Sequence, residues 1–549
     1  MTSGSVQARL SKVFVELVDK PKKSNSDWSI SPTEFLIGKQ LSVLLSKLKR
    51  EKVGNLADRI TRKGGHMGFF TDVVALARFQ FALTVIFHFL FVPLSIGIGL
   101  FVALAETRYY KTRDPKDKAA TKFWAKIFTT TFVIGVASGI TMEFSFGTNW
   151  ANYSRFVGDI FGAPLAAEAL LAFFLESVFL GVVLFARERI SPKAYLVSCW
   201  LTWFGSALSA LWILVANSWM QTPGGYEVLP DGSKAVINDF WGAAFNPSTI
   251  ARYLHTVDSL VILGAFCVMA VGAWYLLKNR NHHHGKSFMQ MGLRVGIITV
   301  ILMLPFAHLQ AVVVAEQQPA KLAAMEGHWE DGPMALTILG WVDEANGETL
   351  GLSIPGGSSF LGSGNFDTVY PGLNTLDNGL ADFDDYDGVK AESYQGGIPP
   401  INATFQSYHL MVCLYALLVV WLLIAGLALS AAKKGKYNKT LLTLLVFGPI
   451  IPFLAIQAGW MVAEVGRQPW VVYNLLLTAD AVSPVVSAVE INITILLFIV
   501  FYTILFISWL RVVMKMIRTG PELETKAAAS ASTSKQLVTE DGAAVKGGE

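Results

Sequence analysis

The chain has 549 residues, with 44 Lys or Arg against 41 Asp or Glu for a formal net charge of +3; 53% of its residues are hydrophobic and 15% are charged. At a mean hydropathy of +0.46 it has too little polar surface to be a soluble globule of this length. The three cysteines, Cys199, Cys267 and Cys413, all fall inside apolar stretches and offer neither a disulfide framework nor a thiolate metal site.

Residues 1–69 form a basic extension with 13 Lys or Arg against 6 acidic residues. Short amphipathic helices are expected around 5–19 and 33–52, but no uninterrupted apolar stretch precedes residue 79, so no secretory signal is visible. An interfacial helix pair, a docking arm for another subunit and a cleaved targeting segment all fit this region; its acidic residues argue against the last. Nine apolar blocks then follow, near 79–105, 123–141, 163–186, 194–216, 252–277, 289–315, 404–431, 440–463 and 487–510. Each is long enough to cross a hydrocarbon core about 30 Å thick at about 1.5 Å per residue. The expected fold is an all-α integral membrane protein with six spans in 70–315 and three in 404–510. Between them, 316–403 is a polar loop with 14 acidic residues against Lys321 and Lys390. Its start, 316–330, reads as a short amphipathic helix and 351–400 as irregular. The tail 511–549 turns Ala-, Ser- and Lys-rich after 519 and reads as disordered.

Charge in the short loops sets the expected orientation. Loops 106–122, 187–193, 278–287 and 432–439 together hold 16 Lys or Arg, whereas 142–162, 217–250 and 464–486 hold one each, Arg155, Lys234 and Arg467. The first set is therefore expected in the cytoplasm, with the N-terminus and the 316–403 loop outside and the C-terminus inside a prokaryotic cell membrane.

Ionisable side chains inside a span are costly and mark functional sites by default. His88 in the first span, His255 opening the fifth, Met411 in the seventh and Glu464 closing the eighth all fall in the outer half of the membrane. Imidazole and thioether form a low-spin axial pair for heme, and no C-x-x-C-H is present for covalent attachment. His88 and Glu464 are candidates for single axial ligands on irons that keep a position open. Taken singly, each residue could instead be a helix-packing group. Glu168 and Glu176, eight residues apart in the third span, lie about 12 Å apart along an α-helix and about 80° apart around it. Such a pair suits a proton relay, and a pair of interhelical hydrogen-bonding acids is the alternative. The His282–His284 run on a short turn reads as a solvated polar loop.

Four strings go beyond generic span chemistry: 78-RFQFALTVIFHFLFVPLSIGIGL-100, 142-MEFSFGTNWANYSRFVGDIFGAPLAAEALLAFFLES-177, 319-PAKLAAMEGHW-329 and 459-GWMVAEVGRQPW-470. Over about 70–520 the chain resembles subunit I of cytochrome bd-type quinol oxidases. The resemblance implies two b-type hemes and one heme d, or a third b heme in its place. It assigns the low-spin heme to His255 and Met411 and the high-spin hemes to His88 and Glu464, without fixing which of those two holds heme d. Trp460 and Arg467 fall in the same heme-binding string, and the Arg467 guanidinium suits heme propionates. Lys321 and Glu326 become the quinol-site pair in a quinol-binding loop, and Glu168 and Glu176 proton-pathway acids. Implied with them are quinol oxidation at the outer face, dioxygen reduction to water at heme, a proton gradient without pumping, and a small membrane subunit II as partner in the bilayer. No nucleic-acid partner is expected.

Two positions depart from the family pattern. His409, in 408-YHLMV-412, stands where an Arg is usual and offers a competing imidazole near Met411. His308, in 305-PFAHLQAVVVAEQQPAK-321, stands near the place of an acidic Gly-Asp motif. A transporter or channel would also suit intramembrane acids, but not the His88, His255, Met411 and Glu464 set. An electron-transfer cytochrome that no longer reduces oxygen should have lost His88, Glu464 or Glu168.

Overall fold

A computed structural model of the chain describes residues 68–377, 386, 389 and 394–522. The chain divides into two units, Met1–Phe69 and Phe70–Glu549. Only Gly68 and Phe69 of the first are described, so the amphipathic helices expected at 5–19 and 33–52 lie outside the described residues, as does the tail from 523.

Among the described residues, nine helices are long and apolar enough to cross a membrane. They are α1 (Val73–Thr112), α2 (Pro115–Thr148), α3 (Ala151–Phe185), α4 (Pro192–Gln221), α5 (Thr249–Leu277), α6 (His282–Gln317), α8 (Ile401–Lys433), α9 (Lys439–Val465) and α10 (Ala488–Thr519), with the short α7 (Pro319–Glu326) between α6 and α8. Every expected span overlaps one of them. Their ends are set by local chemistry as much as by hydropathy. Asp72 caps α1 by accepting from the Val74 and Ala75 N–H groups, Asp114 and Pro115 start α2, and Ser191 and Pro192 start α4. Ser487 and Glu490 form a reciprocal capping box on α10. Each cap satisfies amide donors that a helix start leaves unpaired.

Two expectations need correction. The segment 142–162 is not a loop, because α2 runs to Thr148 and α3 begins at Ala151. Nor is all of 351–400 irregular. After the short antiparallel pair β1 (Tyr226–Val228) and β2 (Ala235–Ile237) that precedes α5, strand β3 (Leu336–Asp343) pairs antiparallel with β4 (Glu348–Ile354), a helical turn covers Gly357–Ser363, and another covers Leu373–Asp377. The helix expected at 316–330 is present as α7.

Helix α5 is the hub: 83% of its apolar window is buried, against 11% for α10 at the periphery. It packs on α1 with backbones in contact. A Cβ at Gly97 would lie 2.5 Å from the Leu260 carbonyl oxygen, and one at Gly264 would lie 2.5 Å from the Gly97 carbonyl carbon. No larger residue fits at that crossing. One core layer beneath it joins Phe101, Trp124, Phe128, Cys199, Val268 and Phe288. A second, including Phe266, Met269, Leu418, Leu422 and Leu445, holds α8 and α9 to α5 and α6.

Candidate functional site

The ends of α4, α6 and α9 that meet the 316–400 segment converge on one polar cluster. Lys321 on α7 donates from Nζ to Gln221 Oε1 and to Gln318 Oε1, both at 2.5 Å. Gln318 in turn donates to the Gln221 carbonyl at 2.9 Å. Gln221 Nε2 donates to the Ala463 carbonyl at 3.1 Å and reaches Glu464 Oε1 at 3.4 Å. Among the described residues Glu464 is the single carboxylate here. Its Oε2 accepts from Arg467 at 2.5 Å, its Oε1 accepts from Asn217 Nδ2 at 3.1 Å, and Arg252 stands 4.0 Å away while donating to Asn217 Oδ1. Three buried cations, Arg252, Lys321 and Arg467, thus surround one anion. Burial, reinforced by repulsion from Arg252 and Arg467, holds the Lys321 amine well below its ordinary range,.

The axial-ligand candidates lie on α1, α5 and α8, each of which packs against α9, the helix that carries Glu464. His88 and His255 each lie nine residues before the Gly97–Gly264 crossing of the parallel helices α1 and α5. That places both about 13 Å towards the loop end. His88 bonds through Nδ1 to Ser138 Oγ at 2.9 Å, which leaves Nε2 as the nitrogen available to a ligand,. Gly139 admits the ring, since a Cβ there would approach His88 Cε1 at 3.3 Å. The buried Nδ1 of His255 has no hydrogen-bond partner among the described residues. Met411 on α8 faces Gly459 on α9, where a Cβ would come within 3.1 Å of its sulfur. Trp460, next in the chain, packs edge-on against Phe89 with centroids 4.9 Å apart and lies 6.0 Å from the Arg252 guanidinium. Among the described residues no three His, Cys, Asp or Glu side chains gather in a way that could hold a bare ion.

The two acids of the third span depart from the expected geometry. Between them, Glu168–Phe173 is a π-helical turn. Such a turn amounts to one inserted residue, so the angle between the acids falls from about 80° to about 20°. Both therefore face α4, where Ser209 Oγ donates to Glu168 at 2.6 Å and Ser206 donates to Glu176. Gly205 lets the helices close, because a Cβ there would sit 2.9 Å from the Glu176 amide nitrogen.

Lys321 and Glu326 share α7 but do not bond to each other. Five residues along a helix turn them about 140° apart. Glu326 is buried against β3, where Oε2 accepts from the Thr337 N–H at 3.1 Å. Burial pushes its carboxyl up to about 7 against the opposing hydrogen bonds. His409 lies beside it: Nε2 is 3.9 Å from Glu326 Oε2, while Nδ1 is bonded to the Phe405 carbonyl at 2.8 Å. His409 thus belongs to the Glu326 environment, and two residues along α8 turn it about 160° away from Met411. His308 is exposed on α6. The His282–His284 run is not a solvated loop throughout: it opens α6, His282 bonds Asn279 in its own turn at 2.8 Å, and His284 is buried and bonds the Lys116 carbonyl at the start of α2 at 3.0 Å.

A family model described as cytochrome bd terminal oxidase subunit I matches residues 76–521. The chain belongs to the cytochrome bd terminal oxidase subunit I family. It is 38% identical to cytochrome bd ubiquinol oxidase subunit 1 of Bacillus subtilis (strain 168) over 452 residues, 82% of this chain and 94% of that protein. It is 36% identical to cytochrome bd-II ubiquinol oxidase subunit 1 of Escherichia coli (strain K12) over 501 residues, 82% of this chain and 97% of that protein. Its fold is similar to the structure of bd oxidase from Geobacillus thermodenitrificans, with a TM-score of 0.73, 26% identity and coverage of 82% of this chain and all of that one.

For a cytochrome bd subunit I, the residues present fit heme. Arg467 Nε and Nη1 and Arg252 Nε are buried with no hydrogen-bond partner among the described residues. Unpaired guanidinium donors on two arginines that share one carboxylate suit a group bearing carboxylates. Arg252, Asn217 and Gln221 are the members of this cluster that the sequence did not single out. Arg252 is the first residue of the expected span 252–277 and reads as an interfacial anchor, and the two amides fall just past the span expected at 194–216. Ser206 and Ser209 read as ordinary helix-packing serines. Only their register against Glu168 and Glu176 sets them apart.

Proposed function

We propose that this chain oxidises quinol at the outer face of a cell membrane and reduces dioxygen to water at heme, building a proton gradient without a pump. The observation that supports it best is the carboxylate of Glu464 among three buried cations, on a helix packed against those that carry His88, His255 and Met411. Positive charge concentrated in the short loops at the far end of the helices supports an outward-facing 316–403 loop. In this reading His255 and Met411 hold a low-spin b heme, and His88 and Glu464 hold two high-spin hemes, one of them d or a third b. Bound heme supplies the electron relay and the open iron position that dioxygen requires. Arg252 and Arg467 hold propionates. Two relatives that match this chain are named ubiquinol oxidases and a third a putative menaquinol oxidase, so the substrate class is a quinol, and a small second membrane subunit completes the complex.

Residues of this chain handle the protons. Glu326, with its carboxyl held near neutrality, is the base that receives a quinol proton, and Lys321 orients the headgroup by donating from Nζ. Quinol turnover is expected to rise with pH through about 7 as Glu326 ionises,. Glu326→Gln should flatten that rise and lower turnover by roughly 100-fold; a profile unchanged in the variant sinks the role. Glu176, and then Glu168, pass protons from the inner side to the oxygen site through the face they share with Ser206 and Ser209. Glu176→Gln is expected to slow oxygen uptake by roughly tenfold or more with heme content unaltered, and wild-type turnover would remove Glu176 from the route. The reading as a whole is tested by a reduced-minus-oxidised absorption spectrum of membranes carrying the complex. Bands of both b- and d-type heme support it, a b-type band alone favours a third b heme, and no heme bands from inserted protein overturn it.

A further inference from the structure

The hairpin β3–β4 presents an apolar face that the other described residues leave uncovered. Across its ladder Leu339 pairs with Leu352 and Trp341 with Leu350. The four side chains are between 59% and 65% exposed. A contiguous patch of this kind marks an interaction surface. The tip has the opposite character: Glu344 accepts from the Asn402 N–H at 3.0 Å and from its side-chain amide at 2.8 Å.

From tip to base, β3 runs alongside α8. The Asn402 amide donates to the Val342 carbonyl at 3.0 Å, Gln406 donates to that of Gly340 at 3.1 Å, and the Cys413 sulfur stands 3.9 Å from that of Ile338. Residues 402 to 413 cover about 16 Å of helix axis. The hairpin therefore reaches from the start of α8 to the first turn of its apolar run, which begins at Leu410. Leu410 and Val412, at the same level of the helix, are themselves exposed. The apolar face of the hairpin is continuous with the lipid-facing surface of a membrane span, and its charged tip lies where that span emerges.

We propose that β3–β4 is an interfacial anchor whose Leu339, Trp341, Leu350 and Leu352 face rests in the bilayer, at the boundary between headgroups and acyl chains. The backbone limits its depth. Among the described residues β4 pairs with β3 alone, and an open strand edge is not tolerated in hydrocarbon, whereas hydrated headgroups satisfy it. Trp is at home at that level. The anchor goes beyond the enzymatic reading and does not depend on it. It also ties lipid contact to the site, because the strand that carries Leu339 and Trp341 also gives the Thr337 N–H to Glu326.

The test is site-directed spin labelling of the purified complex in phospholipid nanodiscs. Leu339→Cys, Leu352→Cys and the tip control Asn346→Cys are labelled in a Cys413→Ser background, with the unsubstituted background as blank. Leu350→Cys serves as a second position on the same face. Collisions with dissolved oxygen, which partitions into lipid, are expected to exceed those with a water-soluble nickel chelate several-fold at 339, 350 and 352, and the order should reverse at 346. Nickel access at 352 equal to that at 346 overturns the anchor. Exclusion of both reagents from 339 and 352 also overturns it, because a partner subunit or second copy then covers the face.

Discussion

His255→Ala is expected to remove the low-spin heme signal from the reduced spectrum and to abolish quinol-driven oxygen uptake while the chain remains inserted. Losing an outer-shell partner of a metal ligand typically costs about 10- to 100-fold, so losing the ligand itself should exceed about 100-fold. The companion variant Met411→Leu separates ligation from folding. Leucine conserves the volume that Met411 fills against Gly459, and such swaps usually cost less than about 1.5 kcal/mol. What Leu cannot supply is the thioether. Both variants should therefore share one spectral defect at similar expression, whereas a full low-spin spectrum in either refutes the ligand pair. The nine-residue offset of His88 and His255 from the Gly97–Gly264 crossing makes the readout specific. The first histidine lies at the same level on the neighbouring helix, and its signal should persist.

Glu464→Gln is expected to have the second large effect, for a different reason. The amide keeps the shape and loses the only negative charge within reach of Arg252, Lys321 and Arg467 among the described residues. Removing one partner of a buried ion pair costs about 3–5 kcal/mol, and the lower end applies because the Glu464 side chain is 33% exposed. The expected outcome is loss of one high-spin heme together with a lower unfolding temperature of the purified complex. Glu464→Asp, which restores the charge on a shorter arm, should recover the stability in part and the heme poorly. Full heme content in Glu464→Gln would remove Glu464 from the ligand set. Unchanged unfolding with the heme lost would show that the cations are balanced from elsewhere.

The nine spans were legible because hydropathy over about twenty residues is imposed by the bilayer rather than by packing. Their ends were not. Helix α2 continues past its apolar run to Thr148, and α3 begins at Ala151, so the loop read at 142–162 dissolves into two helix ends. The hairpin in the 316–403 loop left a signal that was passed over. Asn346-Gly347, with Gly347 at φ +66°, separates LTILGWVD from ETLGLSI, and Asn-Gly between strand-forming runs is a strong local hairpin cue. At the site, the in-span His, Met and Glu residues stood out because hydrocarbon penalises them. Arg252, Asn217 and Gln221 did not, because at a span end water makes such residues unremarkable. Their role follows from the convergence of α4, α5 and α9, which no single helix encodes. His409 illustrates the same limit: adjacency in sequence suggested a rival for Met411, and helix geometry turned it to Glu326.

The π-helical turn at Glu168–Phe173 gives the third span something like a reading frame. Deleting one residue within it would leave a helix still apolar and still long enough to cross, yet would rotate everything beyond by about 100°. Glu176 would leave Ser206, and Gly205 would no longer meet the backbone it makes room for. Point substitutions at the exposed Ala169, Leu170 and Leu171 should be mild, and single-residue deletions there severe. In this stretch the count of residues matters more than their identity.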